Sequence, residues 1–443
     1  MNWLKLLSHK RPGDKKTIAH DPTRSRFEQD YDRIIFSHPF RKLQDKTQVF
    51  PLPEDDFVHT RLTHSLEVSS VGRSLGNAAG NYLLLKYPSL KQAGFSLHDF
   101  GAIVGAACLA HDLGNPPFGH SGEDGISSFF GSNPKGQFFE GMVKESEWKD
   151  LTRFEGNAQG FRILNSSMNK GLKATYATLG AFTKYPISSS APKDKSRKSQ
   201  KKFGFYQCDA ALFGEMAKEM GLISIGDQKW IRHPLSFLVE AADDICYHII
   251  DLEDGCRLGL VPFEDVASML RQIIGASFSE EKLQSIPSEN ERLGTLRAMA
   301  IGQLIKECSQ AFEQHENDML SGKFDTDLTS LIPSSEALKA IIKLSINKIY
   351  RSKLVLEKEA GGFEVLDHLL SAFCEAAYRF TKDELSPRQQ STLRLMPQEY
   401  RLQLEKQQSI YEVLLITCDF VSGLTDTHAV RLYKTIAGLN LPL

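Results

Sequence analysis

Residues 233–254 read HPLSFLVEAADDICYHIIDLED. Leu235, Leu238, Ala242, Ile245, Ile249 and Leu252 recur at intervals of three and four, the spacing of one helical face, and Pro234 stands where a helix tolerates a missing N–H. That stripe must face a core. On the opposite face Asp243, Tyr247 and Asp251 are spaced by four. Taken alone, such a polar face is what any half-exposed helix carries, so its meaning depends on the rest of the chain.

Working outward, apolar residues keep helical spacing through most of the sequence, as in Glu336 to Tyr350, while alternating Val/Ile/Thr runs are scarce. The pattern predicts an all-α fold, predominantly a helical bundle with additional C-terminal helices and few or no strands. Between Lys184 and Phe205 the texture changes: SSSAPKDKSRKSQKK is polar, basic and aperiodic, which predicts a mobile loop at about 184–203. It reads either as a solvated surface or as a lid whose Lys and Arg meet polyphosphate or another subunit. No internal repeat or linker stands out. The expected organisation is a core with an N-terminal arm over residues 1–260 and a helical part over 261–443, packed on that core and not independent.

Composition narrows the class. Hydrophobic residues make up 41% and charged residues 24%, the balance of an ordinary globular protein rather than a disordered one. Lys plus Arg number 53 against 55 Asp plus Glu, so a net charge of -2 supplies no global attraction to nucleic acid or membrane surfaces. The opening MNWLKLLSHKRPGDKK lacks the apolar core and cleavage site of a secretory signal, and no run reaches the ~18 apolar residues of a membrane span. Seven Cys without a CxxC pair do not form a disulfide framework, and a reducing cytoplasm is expected.

The segment richest in chemistry is AACLAHDLGNPPFGHSGEDG, residues 106–125, where an apolar helix ends at His111-Asp112 and runs into a Gly/Pro turn with His120 and Glu123. Imidazole and carboxylate suit a first-row metal, and adjacent His and Asp can both reach an ion where a helix stops. A His-Asp pair alone is weak: His98-Asp99 is another, and SLHDF reads as an ordinary helix start capped by Ser96. His111-Asp112 is distinguished by its company. Upstream, HTRLTHSLEVS places Arg61 one turn before His64, so a cation and a ligand can share a face. Downstream stands the Asp243 face.

Together these segments resemble the HD phosphohydrolase superfamily, whose metal pattern is H...HD...D on a helical bundle, and more closely its deoxyguanosine triphosphate triphosphohydrolase-like branch. The resemblance rests on FRKLQDKTQVF at 40–50, RLTHSLEV at 61–68, HDLGNPPFGHSGE at 111–123, EGNAQGFRIL at 155–164 and EAADDICY at 240–247. These five ordered blocks span roughly the first 260 residues; the remainder matches loosely and contributes no site residue. The resemblance implies metal ligands at His64, His111, Asp112 and Asp243, with Asp244 an alternative that spacing leaves open. It implies a catalytic His120 with Glu123 as its acidic partner, sugar contacts at Gln44, Tyr247 and Asp251, and a phosphate contact at Arg61. Asn115 and Asn157 stand where some relatives place histidines, which leaves the division of proton transfer and phosphate binding open. Lys184, Tyr185 and Lys202 are the implied triphosphate contacts.

The activity so implied is hydrolysis of a deoxynucleoside triphosphate, dGTP foremost, to deoxynucleoside and tripolyphosphate. The cofactor would be a divalent ion, Mn2+ or Mg2+ first, with Fe, Zn, Co or Ni fitting the same donors. A homo-oligomer, hexamer or tetramer, is expected, with a nucleotide effector or single-stranded DNA as candidate regulators and no membrane partner. The alternatives are another HD phosphohydrolase (nucleotidase, phosphodiesterase or nuclease) or a non-catalytic nucleotide or nucleic-acid sensor.

Overall fold

Helix Arg61–Lys86 starts at Thr60, whose hydroxyl accepts the Thr63 N–H while the Thr63 hydroxyl accepts the Thr60 N–H. It presents Gly72, Gly76 and Gly80 to helix Leu97–Ala110. A methyl at Gly76 would stand 2.6 Å from the Phe100 carbonyl oxygen, and one at Gly80 2.8 Å from the Phe100 ring. Glycine therefore lets the two backbones touch. The computed structural model describes residues 1–14, 24–49, 59–165, 172–351, 353–407 and 409–439.

Helix Leu97–Ala110 begins with the Ser96 N–H donating to Asp99 at 2.8 Å, so the His98-Asp99 pair serves a helix start. From Phe100 to Ala110 nearly every side chain is buried, and the helix runs through the middle of the molecule. Helix Ser236–Arg257 crosses the Arg61–Lys86 helix and buries the predicted stripe of Leu238, Ala242, Ile245, Ile249 and Leu252. Helix Glu289–Ser321 backs this group and ends at Gly322, whose φ of 76° is the left-handed conformation that favours glycine.

A second apolar cluster forms where helix His120–Ser132 meets helices Lys353–Thr381, Ile410–Ser422 and Asp426–Ile436. Both clusters draw side chains from either side of residue 260. Helix occupies 69% of the structure, and among the described residues the strands are one short antiparallel pair, Ser224–Gly226 with Lys229–Trp230. The fold is all-α. No single described helix is long and apolar enough to cross a membrane.

The basic stretch differs from a free loop. Ile187, Ser188, Ser189, Ser199, Gln200 and Phe203 are buried, and Ser189 donates to the buried Asp150. Residues 192–196 form an exposed crest, and Lys198 and Lys201 are exposed beyond it. Composition misleads here because serines sit beneath lysines: the small hydroxyls are packed while the long cationic side chains stay at the surface.

Candidate metal centre and active site

The glycine contacts place His64, on the first turn of its helix, near His111, the residue that ends the other; their rings lie 5.3 Å apart. His111 Nδ1 is 2.6 Å from the Cys108 carbonyl oxygen. Only an N–H can make that bond, so Nδ1 carries a proton and Nε2 is the nitrogen left for a metal ion or a second proton. That Nε2 is buried without a hydrogen-bond partner and faces carboxylate oxygens of Asp112 and Asp243, each at 3.5 Å. Against burial, Asp112 and Asp243 raise the His111 pKa, so this corner calls for positive charge, which a second proton or a metal ion between the three groups would supply.

His64 Nε2 is 3.2 Å from the same Asp243 oxygen, and the donor atoms of His64, His111 and Asp243 all lie within 4.8 Å of one another. The side chain of His64 is 1% exposed and that of Asp243 32%, so the group opens to solvent on the aspartate side. This donor set fits a first-row divalent ion. Asp112 stands at its edge: one oxygen accepts from Arg61 Nη1 at 2.7 Å and the other from the Asn115 amide. Burial alone would raise the Asp112 pKa, but Arg61 and the two imidazoles bring it down to about 2. Asp243 is likewise held well below the carboxylate range against the cost of burial, chiefly by His111 and His64. Asp244, left open by spacing, turns away and accepts the Thr329 hydroxyl at 2.8 Å.

Beside the donors, the turn after Asn115 reverses through Phe118 and Gly119, with φ of 67° and 61°. Gly119 matters because a methyl there would come within 3.0 Å of Arg61 Nη2. His120 follows as the first, exposed residue of its helix. Partial burial, then Arg61 and Lys202, hold its pKa below the ordinary imidazole value. Glu123 does not orient it. One Glu123 oxygen accepts the Gly156 N–H at 2.7 Å and the other lies 3.4 Å from Lys202, because the unsatisfied amide starting helix Gly156–Asn165 is the better-placed donor. Lys202 also meets Glu155 at 3.0 Å, and Asn157 donates to that same Glu155 oxygen at 2.7 Å.

Lys184 pairs with Glu240 at 3.3 Å beside the buried Tyr185 ring. Its pKa lies above the ordinary lysine value because, against burial, Glu240 favours the charge. The Tyr247 ring stacks on Tyr350 with centroids 5.6 Å apart, and the Tyr350 hydroxyl donates to the buried Asp251 at 2.9 Å. Gln44 is not brought into this group. It is exposed on the single turn Leu43–Asp45, whose inward residue is the fully buried Leu43, and it hydrogen-bonds none of the side chains above.

Several participants carry no local signal in the sequence. Tyr350 and Asp426 belong to the loosely matching part of the chain. Asp426 accepts from the Phe118 N–H at 3.0 Å and from Thr47, holding the turn that presents His120. Lys46 and Glu155 lie inside the quoted blocks, yet their roles follow from partners far away in sequence. The Lys46 ammonium donates to the carbonyls of Asn115 and, at 2.9 Å, Ser422.

Residues 61–150 match the HD domain family, and residues 333–435 match the phosphohydrolase-associated domain. The chain is 42% identical to a deoxyguanosinetriphosphate triphosphohydrolase-like protein of Synechocystis sp. across the whole of both chains. A protein of the same description from Pseudomonas aeruginosa is 37% identical, again over both full lengths. A deoxyguanosinetriphosphate triphosphohydrolase of Yersinia pestis is 30% identical over 98% of this chain and 99% of its own.

Proposed function

This chain belongs to the family of deoxyguanosinetriphosphate triphosphohydrolase-like proteins built on an HD domain, and from that premise we propose that it hydrolyses deoxynucleoside triphosphates, dGTP foremost, to deoxynucleoside and tripolyphosphate. The observation that carries the reading is His111 Nε2, buried and facing two carboxylates within a group of ligand-type atoms open on one side. His64, His111 and Asp243 would hold the divalent ion, Mn2+ or Mg2+, with Asp112 completing the set. When bound, such an ion supplies polarisation of an α-phosphate oxygen and eases deprotonation of water.

The remaining work falls to side chains. Arg61 offers its guanidinium to the phosphates beside the donors, and Lys184 and Lys202, now paired with Glu240 and with Glu123 and Glu155, provide charge for the phosphate tail. His120 gives its proton to the sugar 5'-oxygen. An O–P bond forms from water to the α-phosphorus, the bond from phosphorus to the 5'-oxygen breaks, that oxygen leaves as an alcohol, and the attacking water sheds a proton to solvent, from which the exposed His120 is reprotonated. The positive neighbours that depress the His120 pKa are neutralised when the anionic tail arrives, so substrate itself favours the protonated acid. Tyr247, braced by Tyr350, forms the wall that excludes a 2'-hydroxyl, and Asp251 receives the 3'-hydroxyl by exchanging its bond to Tyr350.

The test is product identification after incubating the protein with Mn2+ and a panel of dNTPs and NTPs, with His120→Ala as control. Tripolyphosphate and deoxynucleoside from dNTPs support the reading. Pyrophosphate or single phosphate as first product would point instead to another HD phosphohydrolase chemistry.

A further inference from the structure

Behind the turn that follows His111 and Asp112 lies a cavity of about 210 Å³, whose wall includes Leu113 but none of the four expected metal ligands. Basic side chains crowd it. His38, Lys42, Lys46, Arg162 and His428 line the same space as only two carboxylates, Glu399 and Asp419. Asp419 is already engaged: Arg162 Nε and Nη2 each approach it at 2.9 Å, and the Gln159 amide donates at 2.8 Å.

With that pair cancelled, two ammonium groups and two imidazoles share the lining with Glu399 alone. Lys42 donates to the Gly423 carbonyl at 2.6 Å, and Lys46 to the Ser422 and Asn115 carbonyls. Both therefore rest on carbonyl dipoles within a buried wall, and the two carboxylates that act on Lys46 from outside the lining, Asp426 and Asp112, already accept from Thr47 and Phe118 and from Arg61 and Asn115. Burial and then Lys42 push the Lys46 pKa down to about 7. Burial also holds Lys42, His38 and His428 below their ordinary values, and Lys42 adds to the effect on both imidazoles. Pro39, Pro397 and the paired rings of Tyr400 and Phe420, 5.5 Å apart, form an apolar side.

We propose that this cavity is a second binding site, separate from the metal centre, for a phosphate-bearing anion held by Lys42, Lys46 and the imidazoles of His38 and His428. Charge-assisted hydrogen bonds supply the affinity, and the apolar wall receives any organic group that the phosphate carries. Because Lys46 also holds the Asn115 carbonyl and the Asn115 amide holds Asp112, the site shares its framework with the metal motif.

Calorimetric titration of the full chain at pH 7 in chelator tests this, with inorganic phosphate and deoxyguanosine monophosphate as separate probes. Wild type is compared with His428→Gln, Lys42→Met and, to silence phosphate binding at the metal centre, Arg61→Gln. Arg61→Gln is expected to retain a binding phase that His428→Gln and Lys42→Met each weaken by at least about tenfold. His428→Gln is expected to keep wild-type dGTP turnover in phosphate-free buffer. It changes a half-exposed residue, so it decides the matter even if Lys42→Met fails to fold. Tighter binding of the monophosphate assigns an organic group to the apolar wall; equal affinity assigns the site to phosphate alone. Unchanged binding in His428→Gln, or a single phase that vanishes in Arg61→Gln, would overturn the proposal, as would no binding of either probe to wild type.

Discussion

Replacing Gly76 by alanine tests whether the metal centre depends on how closely two helices touch. On an exposed helix the change stabilises by about 1 kcal/mol, because alanine favours helix and restricts the unfolded chain. At Gly76 the new methyl would stand 2.6 Å from the Phe100 carbonyl oxygen and 2.9 Å from Gly101 Cα, backbone atoms that cannot rotate aside. Moving to an ordinary contact of 3.4 Å parts the helices by about 0.8 Å. Overpacking of this kind costs about 1–3 kcal/mol, which outweighs or cancels the propensity gain and leaves a net loss of up to about 2 kcal/mol. His64 and His111 ride on these two helices with their rings 5.3 Å apart, so the tilt also loosens the donor set. Mn2+ affinity is expected to fall by about tenfold or more. Urea unfolding in chelator measures the first effect and calorimetric Mn2+ titration the second. A Gly76→Ala protein about 1 kcal/mol more stable than wild type, with unchanged Mn2+ affinity, would refute the reasoning.

Asp243→Asn removes the negative charge that both imidazoles face and should lower bound metal and turnover by at least about a hundredfold, whereas Asp244→Asn, whose carboxylate serves Thr329, should keep its metal; elemental analysis beside turnover tells them apart, and equal metal loss would contradict the assignment. Burial, Arg61 and Lys202 depress the His120 pKa, so catalysis by protonated His120 should fail as pH rises through that lowered value. Lys202→Met removes one of the positive charges and should move the alkaline limb of kcat/KM to higher pH; a limb that stays in place would exclude His120 as the acid. Burial pushes the Asp150 carboxyl up to about 7 from an ordinary 3.8. Since the folded value is the higher one, the stability it contributes is complete below pH about 4 and is lost as pH rises through about 7. Asp150→Asn should flatten that decline in urea midpoints, and an undiminished slope would show that another group causes it.

The helical class was legible because six apolar residues between Leu235 and Leu252 keep strict spacing, and helix propensity and packing agree there. His64, His111 and Asp243 were legible as an ordered pattern of ligand types. The choice between Asp243 and Asp244 was not, since adjacent helical residues differ by 100° in direction and only the positions of Thr329 and the imidazoles decide. Gly72, Gly76 and Gly80 stand plainly at spacing four, but their meaning requires the helix they receive. Gln44 looked equivalent to its neighbours in FRKLQDKTQVF, yet a single turn sets Leu43 inward and Gln44 outward. Tyr350, Asp426 and Ser422 reach the site through contacts between distant segments, which no local motif records.

Turnover of dGTP in water enriched in oxygen-18 examines the cleavage position at the level of the bond. One labelled oxygen is expected in tripolyphosphate, on the phosphorus that was α, with deoxyguanosine unlabelled. Label in the 5'-hydroxyl of deoxyguanosine, or release of labelled pyrophosphate or single phosphate in place of tripolyphosphate, would contradict attack at the α-phosphorus.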